Sequence, residues 1–207
     1  MKRTLALALI ATCSSLSFAS INLHVNGLEG GLYNTVHVNY NGNNRDFTAG
    51  PQSGHLGAGP DFRMFCVDLD HTVSPGSDYP VNPTQINGFG NAGLSLAAKL
   101  YNSFAGGIST SDEGAGLQLA IWEAVVDNAV VDFANGNFKD NGTSGAIMMK
   151  ANFFLANVGT NDHAYWLDAV HVENRNQSMI GPVPEPASMS VLALGVAGLL
   201  RRRNKKA

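Results

Sequence analysis

The order in which two periodicities appear along the chain limits its fold more than any other feature. Period two comes first. I-N-L-H-V-N (Ile21 to Asn26) and T-V-H-V-N-Y (Thr35 to Tyr40) alternate apolar and polar residues between Gly and Asn clusters, the pattern of half-buried strands. F-R-M-F-C-V-D-L (Phe62 to Leu69) is a third candidate. Its alternation sets Arg63, Phe65, Val67 and Leu69 on one face and Phe62, Met64, Cys66 and Asp68 on the other. Helical spacing then takes over. Leu96, Leu100 and Phe104 recur every four residues within Gly93 to Phe104. Thr110 followed three residues later by Glu113 is a capping-box pattern, with Asp112 adding charge at the positive helix end. The helix it opens runs to about Asp127, with Leu117, Ala120, Ile121 and Ala124 as its apolar stripe. A third helix is predicted over Gly145 to Leu155, and a late strand over Ala164 to Glu173. Strands, then helices, then a strand predict an α+β fold: an antiparallel β-sheet or sandwich with a helical insertion.

The two ends stand apart from this body. Met1-Lys2-Arg3 is a short basic segment, Thr4 to Thr12 is apolar but too short to span a bilayer, and Ser17-Phe18-Ala19 places small residues at −3 and −1. Residues 1–19 therefore read as a signal peptide cleaved after Ala19. Cys13 leaves with it; Thr12 before it does not suit a lipoprotein site. At the other end, V-P-E-P-A-S (Val183 to Ser188) precedes an apolar run from Met189 to Leu200 and a basic cluster from Arg201 to Lys206. Twelve apolar residues are short for a transmembrane helix but span with flanking help, and the terminal cations would stay cytoplasmic.

This tripartite tail closely resembles the PEP-CTERM sorting signal of Gram-negative bacteria. The resemblance rests on Pro184, Glu185 and Pro186, the apolar segment, and Arg201, Arg202 and Arg203. It implies recognition by exosortase, a membrane transpeptidase, with a transient inner-membrane anchor. Cleavage near the Pro-Glu-Pro then delivers the chain to the cell surface or exopolysaccharide matrix. The expected organisation is a signal peptide (1–19), a body (20–182) and a sorting signal (183–207). The body carries six Lys/Arg against fifteen Asp/Glu, a net charge of −9, which argues against a nucleic-acid partner. Its length suffices for one domain with a full core.

Several chemical motifs fail on context. V-D-L-D-H-T-V (Val67 to Val73) matches the nucleophile loop of haloacid-dehalogenase-like phosphatases. The strand–helix alternation and downstream acidic pair of that fold are missing, so a secreted phosphatase is a remote alternative. G-F-G-N-A-G (Gly88 to Gly93) has dinucleotide-loop spacing, but P-T-Q-I-N before it does not read as a strand. Six histidines are scattered without the spacing of a zinc site. Asp70-His71 and Asp162-His163 could take a surface cation; no intrinsic metal site and no cofactor are expected.

Cys66 remains, the sole cysteine once the signal is removed, so an intramolecular disulfide is impossible. Phe65-Cys66-Val67-Asp68, followed about 50 residues later by Gln118, Ala120, Ile121 and Trp122, resembles the thioester domains of bacterial surface proteins. There a cysteine on a strand attacks a glutamine side chain on a T-Q-x-A-I-W helix and expels ammonia. The usual Thr is Leu117 here, which removes a hydroxyl next to the reacting centre. The resemblance implies a Cys66–Gln118 thioester that captures an amine-bearing protein or polysaccharide target once. Such a protein is an adhesin or matrix cross-linker and not a turnover enzyme. The alternative is a non-reactive structural or carbohydrate-binding matrix protein of the same fold. Asp68 and Asp70 are candidate bases, and Trp122, one turn beyond Gln118, is expected to shield it. Gly114 and Gly116 weaken the helix; the expectation is that they admit the Cys66 strand at close range.

Overall fold

The computed structural model describes residues 20–87 and 90–182. The signal segment (1–19), the sorting segment (183–207) and its expected transmembrane helix lie outside the described residues. Among the described residues no helix is long and apolar enough to cross a membrane.

Among the described residues the fold is mostly antiparallel β with three α-helices, in line with α+β. The sheet is neither open nor a sandwich. Six strands close into a barrel: β1 (Ile21–Leu28), β4 (Gln52–Leu56), β5 (Phe62–Cys66), β9 (Met179–Gly181), β8 (Tyr165–Ala169) and β6 (Ser77–Gln85), with β6 returning to β1. A second sheet has the order β3 (Asn43–Ala49), β2 (Asn34–Tyr40), β7 (Phe138–Asp140). Closure removes the unpaired edges that an open sheet would expose. Alternate residues fill one core: Leu23 and Val25, Met64 and Cys66, Tyr79 and Val81, with Leu167 and Met179, are all buried together. Period-two alternation is thus the cause of both strand and barrel interior.

The helices follow the predicted places: α1 (Ala92–Phe104), α2 (Ser111–Val126) and α3 (Gly145–Ala156). The strands depart more. β5 ends at Cys66, three residues early, because Asp68 folds into a turn, its carboxylate accepting from the Asp70 and His71 N–H groups. The two predicted faces of this strand do separate, Met64 and Cys66 into one core and Phe65 and Val67 into a second, but Leu69 joins the first. The late strand is shorter (β8), and β9 after it was not foreseen. Nor was β6, whose Pro80 and Pro83 argue against a strand. β6 pairs with β1 over residues 77–81 and with β8 over 81–85, so each proline has a ladder on one side only. Residues 83–85 are therefore strand after all. What removes the dinucleotide reading is the antiparallel pairing of every strand in the barrel, which leaves no βαβ unit there.

Helix α2 is the hub. Eleven successive residues, Gly114 to Ala124, are buried, far more than a stripe. Leu117, Ala120, Ile121 and Ala124 pack with α1, Phe65 and Ile180; Ala115, Leu119 and Trp122 pack with Val36, Val38 and Phe138 of the second sheet. A helix covered on all sides is mostly apolar on all sides, and here Gln118 and Glu123 are the polar exceptions within the buried run. The Thr110 hydroxyl caps it by accepting from the Glu113 N–H, while Glu113 reaches back to the Ser109 N–H and out to Lys150. The glycines serve a purpose other than the one expected. A Cβ at Gly114 would lie 1.8 Å from the Leu32 carbonyl oxygen, and one at Gly116 would lie 2.6 Å from Lys150 Cβ on α3. They admit the 29–33 loop and α3, not the Cys66 strand.

Candidate functional site

Cys66 is the last residue of β5. Its neighbour Val67 donates its N–H to Ser178 O, toward the β9 side. One residue back, the N–H and C=O of Cys66 point the other way, toward β4. But β4 begins only at Gln52, opposite Met64. The ladder runs out one pair too soon, and two buried backbone groups need partners. The side chain of Gln118 supplies both. Its Oε1 accepts from the Cys66 N–H at 3.0 Å, and its Nε2 donates to Cys66 O at 2.7 Å. The carboxamide stands in for the missing stretch of strand.

Gln118 is 1 % exposed and Cys66 2 %. The two residues that the sequence pairs across 52 positions are thus in direct contact in a dry site. The Cys66 sulfur donates to Asp68 O at 2.8 Å and accepts from the Asp68 N–H at 3.2 Å. Burial pushes the thiol pKa up to about 12, against smaller lowering effects from the Asp68 backbone and the Trp122 side chain. Trp122 packs against Phe47 and Phe138, and its indole N–H has no hydrogen bond to oxygen or nitrogen. It walls the site from the second sheet. Phe65 points to the opposite core, edge-on to Tyr101, and holds the strand from behind.

The two candidate bases are placed differently from expectation. Asp68 meets Cys66 through its backbone, while its carboxylate binds His71 Nδ1 at 2.7 Å. Asp70 accepts from the Tyr40 hydroxyl at 3.0 Å and shows no bond to the sulfur. Both line a cleft of about 420 Å³ with Val67, His71, Asp168 and His171. The cleft reaches Val67, the residue next to Cys66, while Cys66 and Gln118 themselves do not line it. For a phosphatase, Asp68 would have to be a free nucleophile; it is instead fully engaged in the turn.

Sequence reasoning named His71, with Asp70, as a possible cation ligand but missed the partners it meets. His71 and His171, a hundred residues apart, stack with ring centroids 3.7 Å apart, beside Asp68. No sequence spacing signals this, because β8, β9 and the turn after β5 meet only through barrel closure. Asp162-His163 shows no such grouping: Asp162 accepts from Ser95.

Comparison with known proteins agrees with the sorting reading. Residues 182–204 match the family model of the PEP-CTERM protein-sorting motif. The chain therefore carries the signature of an exported protein destined for the cell surface, and the motif implies processing by exosortase. No curated protein sequence matches the chain significantly. Among solved structures, the N-terminal thioester domain of fibronectin-binding protein SfbI from Streptococcus pyogenes is similar in fold. Identity is 12 %, the TM-score is 0.46, and the match covers 78 % of this chain and 94 % of that one. A likeness this loose carries no chemistry from one chain to the other.

Proposed function

We propose that the body forms an internal thioester between Cys66 and Gln118 and uses it for single covalent capture of an amine. The observation that carries this reading is the two-point grip of Gln118 on the Cys66 main chain. It holds the carboxamide beside the thiol without any need for substrate binding. The Cys66 N–H already donates to Oε1, where negative charge develops when sulfur adds to the carbonyl. In the reaction the S–C bond forms, the C–N bond to Nε2 breaks, and the thiol proton leaves on ammonia. A target amine then reverses the exchange. Its nitrogen bonds to the Gln118 carbonyl carbon, the S–C bond breaks, and the amine proton returns to the Cys66 sulfur. No turnover follows, because the amide is stable. Export and surface delivery suit an adhesin or matrix cross-linker acting on proteins or amino sugars.

A second reading has its own support. The same two hydrogen bonds give the Cys66 N–H and C=O and both polar atoms of the Gln118 carboxamide a partner, and a thiol with a pKa of about 12 is a poor nucleophile at neutral pH. On that reading the protein is a non-reactive matrix component, and Gln118 is a purely structural patch on a short ladder. Intact mass separates the two. The thioester form is lighter than its sequence by one ammonia and gains one methylamine on incubation with that amine. Cys66→Ala abolishes both changes. Full mass in the native protein and in the variant alike would leave the structural reading standing.

A further inference from the structure

We propose that His71, His171 and Asp68 form a binding site for a transition-metal ion such as Zn²⁺. One ligand atom from each of the three lies within 4.8 Å of the others. Tetrahedral zinc with bonds near 2 Å sets its ligand atoms about 3.3 Å apart, so shifts of roughly an ångström close the set. Two imidazoles and one carboxylate favour zinc, copper or nickel over calcium or magnesium, which take oxygen ligands.

The surroundings prepare the rings for this task. His71 Nδ1 lies 2.7 Å from an Asp68 carboxylate oxygen, and His171 Nδ1 lies 2.9 Å from Asn176 O. His71 Nδ1 and His171 Nδ1 thus face the same Asp68 carboxylate oxygen, at 2.7 Å and 3.8 Å, and an ion held by these three atoms would take the place of protons on the two ring nitrogens. The two segments that carry the rings are stapled together. Gln177 Nε2 donates to both Asp68 O and His71 O, and the Thr72 N–H donates to Asn174 O. Asp70 and Asp168 line the same cleft and add negative charge, and the cleft leaves room for water or an external ligand on the ion. A second histidine pair offers a built-in contrast. His24 and His55 also stack, at 4.9 Å, but each bonds its own carboxylate, Asp78 and Asp61, with none shared.

Neither the Cys66 sulfur nor Gln118 is a ligand, so the proposed ion site does not require the thioester to form. The test is titration of the exported protein with Zn²⁺ by calorimetry, and with Co²⁺ by its visible absorption. One ion per chain is expected, with the tetrahedral cobalt band. His171→Gln lies in an exposed hairpin and His71→Gln in the facing turn. Each should weaken binding by more than the roughly 10–100-fold that loss of an outer-shell partner costs. His24→Gln should leave it unchanged. Absence of stoichiometric binding, or equal loss in His24→Gln, overturns the proposal. Thermal unfolding of each variant shows that it is folded, so lost binding reads as a lost ligand.

Discussion

Two buried side chains on α2 carry the residue-scale chemistry. Gln118 completes the β5 ladder, so Gln118→Ala leaves the Cys66 N–H and C=O buried without partners. We expect a loss on the order of 3 kcal/mol relative to the parent whose Gln118 amide is intact, read from chemical denaturation. Glu123 is fully buried; Oε1 accepts from the Asp132 N–H, and Oε2 has no partner. Burial first, and then Asp127 and Asp132, raise its pKa to about 7 from 4.5, although the Asp132 N–H pulls the other way. A raised acid holds its proton more tightly when folded. Its folded form is favoured below the unfolded pKa, and that advantage is lost as pH rises from 4.5 through about 7. Glu123→Gln keeps the acceptor and removes the charge. Its gain in melting temperature over the parent should grow between pH 5 and pH 8; an equal gain at both would show that Glu123 stays ionised throughout. Cys66 and Gln118 were legible in the sequence as a pair of motifs. Glu123 was not, because a charged residue on a helix ordinarily faces water, and only burial of the whole helix puts it inside.

At the scale of elements, α2 owes its position to small residues. Gly114→Ala drives a methyl into the Leu32 carbonyl, which is backbone and gives way at a cost. Although alanine is the better helix former, we expect destabilisation of about 1–3 kcal/mol or more, visible as a lower melting temperature. If Gly114→Ala stabilised the protein, helix propensity would outweigh the close approach. The three helices were readable because their four-residue spacing and the Thr110 cap are local signals. β4, β7 and β9 were not. They are three to five residues long, and their identity as strands comes from partners far along the chain. Met179-Ile180-Gly181 is strand only because β5 and β8 lie on either side of it.

For the whole molecule, the acidic body and the basic tail divide the work. The match over residues 182–204 places the sorting signal next to the last described strand, β9. β9 seals the barrel beside Cys66 through the Cys66–Met179 pair. The barrel is thus complete at Gly181, before the sorting motif proper. Replacing Arg201, Arg202 and Arg203 with alanine should block processing and hold the full-length chain in the membrane fraction, as seen by immunoblot of cell fractions. The melting temperature of the body should not move. Processed chain released from the variant at the parental level would remove the arginines from recognition.

Some of this protein follows from local sequence alone. Cys66 and Gln118 were paired only through their resemblance to a known family, whereas the sorting segment, the three helices and the strands β1, β2 and β5 rest on contiguous motifs or on a few residues at fixed spacing. Their physics acts within a turn or two of chain. Barrel closure, the burial of α2 on every side, the reason for its glycines and the meeting of His71 with His171 were decided by tertiary structure. Each depends on which distant segments share an edge or a face. That choice is made by the summed burial of the whole core, which no single stretch of the chain encodes.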